Sequence, residues 1–71
     1  MSVMKVIEVL AQSSKSWEDA AQTAVKVASK TVKDIKSIYV ENFEAQVENG
    51  KIVKYRINGK LTFALKGTEK I

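Results

Sequence analysis

The sequence predicts an α+β fold in which a three-stranded antiparallel sheet wraps around one helix, in the chain order β-α-β-β. Residues 43–65 form two runs of alternating apolar and polar side chains joined at Glu48-Asn49-Gly50, a pattern typical of a half-buried hairpin. Residues 15–33 repeat apolar side chains at the three- and four-residue spacing of a helix. The hairpin strands exceed the usual length of about five to six residues. Because one helix is a small cover for so long a sheet, we expect other subunits to complete the core.

Length and composition also point to self-association. The chain has 71 residues, enough for one domain spanning residues 1–71, and a domain of this size buries only about 60% of the surface of its unfolded chain. Small chains usually gain stability from disulfides, a structural metal or oligomerisation. The sequence contains no Cys and no His, which excludes disulfides and metal sites built on thiolate or imidazole. Of these three sources of stability, oligomerisation is the one that the composition leaves open.

Charge and hydropathy narrow the possible partners and location. The net charge of +4 would favour nucleic acid only if the basic residues gathered on one face. They alternate instead with acidic residues along the chain, which indicates a solvated surface and no nucleic-acid partner. No apolar run approaches the roughly 20 residues of a membrane span. We therefore expect a cytoplasmic protein with no membrane partner, which the lack of cysteine also suits.

The first strand and the helix follow each other directly. Val3–Leu10 is rich in β-branched residues and predicts a strand. The polar cluster that follows predicts a helix from about Lys15 to about Lys33, with Ser13 or Ser14 as its N-cap.

One stripe of the predicted helix is apolar and mostly alanine, so this face can lie close against the concave side of the sheet. Trp17 falls on this stripe in the first turn, which favours packing in the core or against a subunit over ligand stacking. The stripe consists of Trp17, Ala20, Ala21, Ala24, Val27, Ala28 and Thr31.

Strand two begins near Ile35 and changes phase along its length. Ile38 and Val40 share one parity, whereas Phe43 and the next apolar residues share the other. Two interpretations fit: both faces are covered, or a bulge near Glu41-Asn42 resets the alternation and bends the strand. We favour the bulge.

The loop of the hairpin determines which side chains meet. A two-residue turn at Asn49-Gly50 would set Phe43 opposite Arg56 and mix the two faces. A three-residue loop, Glu48-Asn49-Gly50, places Phe43 opposite Tyr55 and Glu44 beside Lys54, and we predict this loop. The helical crossover makes strands one and two parallel, so strand three fits between them and the predicted sheet order is 1-3-2.

Catalytic and metal-binding patterns are largely missing from the sequence. Without His or Cys the usual general bases and thiol nucleophiles are absent, and no glycine-rich phosphate loop or EF-hand is present. We expect neither an enzyme nor a dedicated metal site. Tyr39 lies off the parity of its apolar neighbours, which leaves it open to solvent, to a neighbouring subunit or to a stacked aromatic ligand.

Five segments run in order along nearly the whole chain: Val6-Ile7-Glu8-Val9, Ser16-Trp17-Glu18-Asp19-Ala20-Ala21, Ala28-Ser29-Lys30-Thr31-Val32, Val47-Glu48-Asn49-Gly50-Lys51-Ile52 and Tyr55-Arg56-Ile57, followed by Phe63. Taken together, these segments resemble the dodecins. The resemblance implies a β-α-β-β protomer of which twelve form a hollow shell, a homododecamer. It also implies storage of flavins (riboflavin, FMN or FAD) between tryptophans of neighbouring subunits, and in some members coenzyme A near the three-fold axis.

Two positions depart from the flavin-binding pattern that the resemblance implies. Ser37 stands where the family has its stacking tryptophan, and Arg56 stands where the family's glutamine contacts the flavin pyrimidine edge. Arginine donates hydrogen bonds but accepts none, whereas an amide does both. Tyr39 is close enough to Ser37 to supply an aromatic face. Ser37, Arg56 and Tyr39 are therefore the candidate cofactor-binding residues.

The resulting expectation is a non-enzymatic shell that stores a small ligand, with flavin as the ligand by resemblance. Two alternatives stay open. One is a shell of the same type that binds another small molecule or an ion, and the other is an oligomeric interaction protein without a ligand.

Overall fold

The computed structural model describes residues 3–65 as a single sheet with one helix. The elements in chain order are β1 (Met4–Ser13), α1 (Trp17–Ala28), β2 (Ile35–Glu48) and β3 (Lys51–Ala64). Strand β3 lies in the middle and pairs antiparallel with both β1 and β2, which confirms the predicted order 1-3-2. Within the described range, no helix is long and apolar enough to cross a membrane.

Strand β1 continues three residues beyond the predicted end at Leu10. Ala11 pairs with Ile57, and Ser13 pairs with Tyr55. Residues 11–13 show no alternation of apolar and polar side chains, so the sequence does not predict a strand there. The 14-residue β3 nevertheless supplies a pairing partner for each of them. Pairing with a long neighbour therefore decides where β1 ends.

The helix begins at Trp17, and its N-cap is Ser16 rather than the predicted Ser13 or Ser14. The Ser16 hydroxyl accepts a hydrogen bond from the backbone N–H of Asp19 at 2.9 Å. Ser13 belongs to β1 and donates its hydroxyl to Asp19 Oδ2 at 2.6 Å, so it ties the strand to the first helical turn. The predicted cap was wrong because β1 extends to Ser13, so the helix starts later, after Ser16.

The helix ends at Ala28, and the predicted extension to Lys33 was wrong. The Ser29 hydroxyl donates to the carbonyl oxygen of Val25 at 2.6 Å. The backbone N–H of Thr31 then bonds to the carbonyl oxygen three residues earlier, as in a tight 3₁₀-type turn. Asp34 follows with φ of 60°, in the left-handed region. The chain must reverse here to reach β2, and this tertiary requirement outweighs the helical spacing.

The bulge predicted near Glu41-Asn42 is confirmed. Val40 pairs with Gly59, and Asn42 pairs with Asn58, which leaves Glu41 as an extra residue in β2. The inserted residue shifts the alternation and allows Ile38 and Phe43 to share one face.

The hairpin turn has two residues, so the predicted three-residue loop was wrong. Asn49 and Gly50 have φ of 53° and 76°, the pair of left-handed residues that a type I′ turn requires. Strand β3 compensates with its own extra residue, Val53, between the pairs Val47–Ile52 and Gln46–Lys54. Phe43 consequently faces Ile57 and Glu44 faces Arg56, instead of Tyr55 and Lys54.

The core lies between α1 and the inner face of the sheet, the face that carries Ile57 and Leu61. Ala20 on the helix is fully buried, and its small side chain permits close approach to the strands. Trp17 packs edge-on against Tyr55, with ring centroids 4.8 Å apart, and against Phe43. The buried apolar residues of the described chain are few, however: Ala20, Ile57, Leu61 and Ala64.

Candidate functional site

The outer face of the sheet, turned away from α1, carries all three candidate cofactor-binding residues. Ser37 stands opposite Thr62, and Tyr39 stands opposite Lys60. Two residues apart on one strand, Ser37 and Tyr39 share a face at a spacing of roughly 7 Å. The Tyr39 side chain is 64% exposed. The structure thus brings these two residues together and presents an aromatic ring to solvent.

Arg56 lies at the centre of a polar row that crosses the three strands of the outer face. It pairs in register with Gln12 of β1 and with Glu44 of β2. Arg56 Nε and Nη2 both donate to Gln12 Oε1 at 3.3 Å, and Arg56 Nη1 donates to Glu44 Oε1 at 3.2 Å. The guanidinium is held from both sides, and an open groove beside it is completed by Leu10 and Ala11.

Within one chain, Arg56 lies apart from the other two candidates. It is four residues along β3 from Lys60, the partner of Tyr39, and six residues from Thr62, the partner of Ser37. At the strand rise these separations are roughly 13 Å and 20 Å. The outer face therefore offers two separate contact points. One is the Tyr39 ring with the Ser37 hydroxyl, and the other is the Arg56 guanidinium, which Gln12 and Glu44 hold in place.

Sequence reasoning missed Gln12 and Glu44 as partners of Arg56. The three-residue loop placed Glu44 beside Lys54, and Gln12 was read as a polar residue after the strand. The Asn49-Gly50 dipeptide favours a type I′ turn, which sets Val47 opposite Ile52. The pair Glu44–Arg56 also requires the extra residue Val53 in β3, for which the sequence carries no signal.

Two carboxylates of β2 form ion pairs with cations of β3. Glu41 Oε1 lies 3.5 Å from Lys60 Nζ, and Glu44 pairs with Arg56 as described. Across residues 3–65, no three Asp or Glu side chains converge in a group that could hold a metal ion. The described part of one chain thus supplies no carboxylate cage for a hard cation.

Comparison with known proteins agrees with the sequence and the fold. The family model described as Dodecin matches residues 3–66. The calcium dodecin of Mycobacterium tuberculosis (strain ATCC 25618 / H37Rv) is 36% identical over 66 residues, which is 93% of each protein.

Solved structures give the same result. A Thermus thermophilus dodecin point mutant superposes with a TM-score of 0.88 at 25% identity and covers 96% of this chain and 100% of its own. The Streptomyces coelicolor dodecin gives 0.87 at 27% identity, with 94% and 96% covered. The M. tuberculosis calcium dodecin, described as calcium chelating with a novel calcium-binding site, gives 0.77 at 39% identity, with 93% and 94% covered. The chain therefore belongs to the dodecin family of small-ligand-binding proteins.

Proposed function

We propose that the protein is a homododecameric shell that stores a flavin and catalyses no reaction. The observation that carries the flavin assignment is the exposed Tyr39 ring beside Ser37 on the outer face. A flat aromatic ligand is held best by an aromatic face, and base-like rings stacked on aromatic side chains gain about 1–3 kcal/mol each. Ser37 has no ring, so Tyr39 supplies the stacking surface in this chain.

Self-association is supported by how little one chain buries. Ile57 and Leu61 are the largest fully buried side chains in the described residues. Large apolar side chains stay exposed on both faces, among them Leu10 at 74% on the outer face and Phe43 at 64% on the inner face. Exposed apolar surface of this extent on a small chain indicates contact with other proteins. Further copies of the same chain are the partners that the family implies.

The proposal is tested by titrating riboflavin, FMN and FAD against the purified assembly and following the fluorescence of the flavin. We expect saturable quenching as the ring stacks against Tyr39. Coenzyme A is titrated in parallel by calorimetry, since the family resemblance also implies this ligand. Flavin fluorescence that stays unchanged at all concentrations of the assembly would contradict flavin storage.

Substitutions at two positions locate the flavin. Tyr39→Ala removes the ring and should weaken flavin binding about tenfold, whereas Tyr39→Phe keeps the ring and should bind as the wild type does. Ser37→Trp restores the residue implied by the family and should raise the affinity, with Ser37→Ala as its matched control. Equal affinities for Tyr39→Ala and the wild type would place the flavin elsewhere.

Calcium is the second candidate ligand, because the M. tuberculosis relative at 36% identity is a calcium dodecin. The described residues of one chain hold no group of three acidic side chains, so a calcium site here would draw carboxylates from more than one copy. Calorimetric titration with calcium chloride distinguishes this function from flavin storage. Saturable heat with calcium and none with flavins would favour the ion.

A further inference from the structure

The chain contains the dipeptide Asn-Gly twice, at Asn49-Gly50 and at Asn58-Gly59. Asparagine is a chemically labile residue, and it loses its amide most readily before glycine, which has no side chain to shield its backbone nitrogen. The two dipeptides are identical in sequence, but the fold places them in opposite environments. One lies at the tip of the hairpin, and the other lies within the central strand of the sheet.

We propose that Asn49-Gly50 is a site of spontaneous deamidation in the folded protein and that Asn58-Gly59 is protected from it. In the first step the backbone nitrogen of Gly50 attacks the side-chain carbon Cγ of Asn49. The new C–N bond closes a succinimide ring, and the side-chain nitrogen Nδ2 leaves as ammonia with the proton that the Gly50 nitrogen gives up. One water molecule then opens the ring at either of its carbonyl groups, which yields aspartate or isoaspartate.

The hairpin tip leaves both reacting groups free. Asn49 and Gly50 lie between β2 and β3, and both are exposed. Within residues 3–65, neither the N–H of Gly50 nor the side-chain amide of Asn49 makes a hydrogen bond. In the same part of the chain, no atom beyond Gly50 and its chain neighbours lies within 4 Å of the position that a Cβ of Gly50 would take. Rotation of this peptide toward the Asn49 side chain therefore breaks no strand pair and is unobstructed around Gly50.

The second dipeptide is held from both sides. Asn58 and Gly59 each pair with β1 on one side and with β2 on the other. Gly59 is buried, and a Cβ there would lie 2.5 Å from the backbone carbonyl oxygen of Tyr39. The amide of Asn58 donates to Asn42 Oδ1 at 3.5 Å. This peptide cannot rotate unless the strands separate, so only locally opened molecules react at Asn58.

The two products of deamidation affect the hairpin differently. Aspartate keeps the type I′ turn, for which Asp-Gly is also a preferred sequence, and it adds a negative charge next to Glu48. Isoaspartate routes the backbone through the side-chain carbons, so the loop gains a backbone carbon and loses the geometry of a two-residue turn. Because the ammonia is lost to solution, the change accumulates with the age of the protein.

The test is incubation of the purified assembly in mildly alkaline buffer, followed by proteolysis at mildly acidic pH and mass spectrometry. Cleavage after Lys and Arg separates the two dipeptides into peptides that end at Lys51 and at Lys60. Replacement of the amide NH2 by OH changes the peptide mass, and chromatography separates the aspartate and isoaspartate forms. We expect Asn49 to react at least about tenfold faster than Asn58, because reaction at Asn58 requires local opening of the sheet. In concentrated urea, which unfolds the chain, the two dipeptides should react at similar rates.

Two variants serve as matched controls. Asn49→Gly removes the amide and keeps a type I′ turn, because Gly-Gly also suits this turn, so the peptide ending at Lys51 should keep its mass at position 49. Asn58→Ala removes the amide of the protected dipeptide and should leave the rate at Asn49 unchanged.

Two results would overturn the proposal. Equal rates at Asn49 and Asn58 in the folded assembly would show that the fold does not select between the dipeptides. An Asn49 that stays intact in the folded assembly and reacts only in urea would show that the tip is covered or held rigid there.

Discussion

Gly59 shows how a single residue permits the bend in the sheet. It stands opposite Val40, directly beside the bulge at Glu41, and it is buried. A Cβ added at Gly59 would lie 2.5 Å from the backbone carbonyl oxygen of Tyr39. Since the obstructing atom belongs to the backbone, the neighbouring strand itself would have to move. Glycine is required at position 59 because the backbones of β2 and β3 approach too closely to admit a Cβ atom.

We predict that Gly59→Ala lowers the free energy of unfolding by about 1–3 kcal/mol, the usual cost of overpacking. Chemical denaturation at one fixed protein concentration measures the change, because the stability of an oligomer depends on concentration. The neighbouring substitution Asn58→Ala removes only a long side-chain contact at 3.5 Å and serves as the control, with an effect within about 0.5 kcal/mol. Equal stability of Gly59→Ala and the wild type would mean that the strands separate at little cost.

Arg56 illustrates what sequence reasoning can and cannot establish for one residue. Alternation correctly placed it on the face opposite Ile57. Its partner on β2 depends on the register between β2 and β3, and one extra residue in β3, Val53, shifts this register. Sequence can therefore place a charged side chain on a face of the sheet, but the contacts of its guanidinium depend on strand pairing.

At the scale of elements, the helix has a defined beginning that links it to β1. Ser16 caps the helix, and Ser13 reaches from the end of the strand to Asp19. Asp19 therefore donates a hydrogen bond from its backbone N–H and accepts one at its side-chain carboxylate. The serine cluster predicted that a helix starts here, but three serines within four residues leave the choice of cap to the tertiary structure.

Ser16→Ala should destabilise the fold by about 1 kcal/mol, because the N–H of Asp19 loses its capping acceptor. Ser14→Ala is the matched control, since Ser14 is exposed and does not cap the helix. Thermal unfolding followed by circular dichroism at the same concentration compares the two variants. A larger loss for Ser14→Ala than for Ser16→Ala would contradict the assignment of the cap.

At the scale of the whole molecule, the hairpin projects beyond the cover that one helix provides. The described chain is 54 Å long, whereas the 12-residue α1 spans about 18 Å at the helical rise. Phe43, Val47 and Ile52 remain about half exposed or more near the turn. These apolar side chains need a second protein surface, which the shell proposed above provides.

We predict that the wild type scatters light with a mass near that of twelve 7.9 kDa chains and that Phe43→Asp lowers this mass. A carboxylate at Phe43 would be buried without a partner in any contact made by the inner face of the hairpin. Gln46→Asp adds the same charge to the outer face of the same strand and should keep the wild-type mass. A full-sized assembly of Phe43→Asp would show that this surface stays outside the subunit contacts.

The sequence by itself determined the element order, the order of the strands, the bulge in β2 and the faces on which Tyr39 and Arg56 lie. These features follow from local periodicity and from the helical crossover that makes β1 and β2 parallel, which short stretches of chain express. The tertiary structure alone decided the helix ends, the choice of cap among the serines and the pairing of Arg56 with Gln12 and Glu44. These depend on competition between distant partners for the same backbone and side-chain groups, where a shift of one residue exchanges every cross-strand contact.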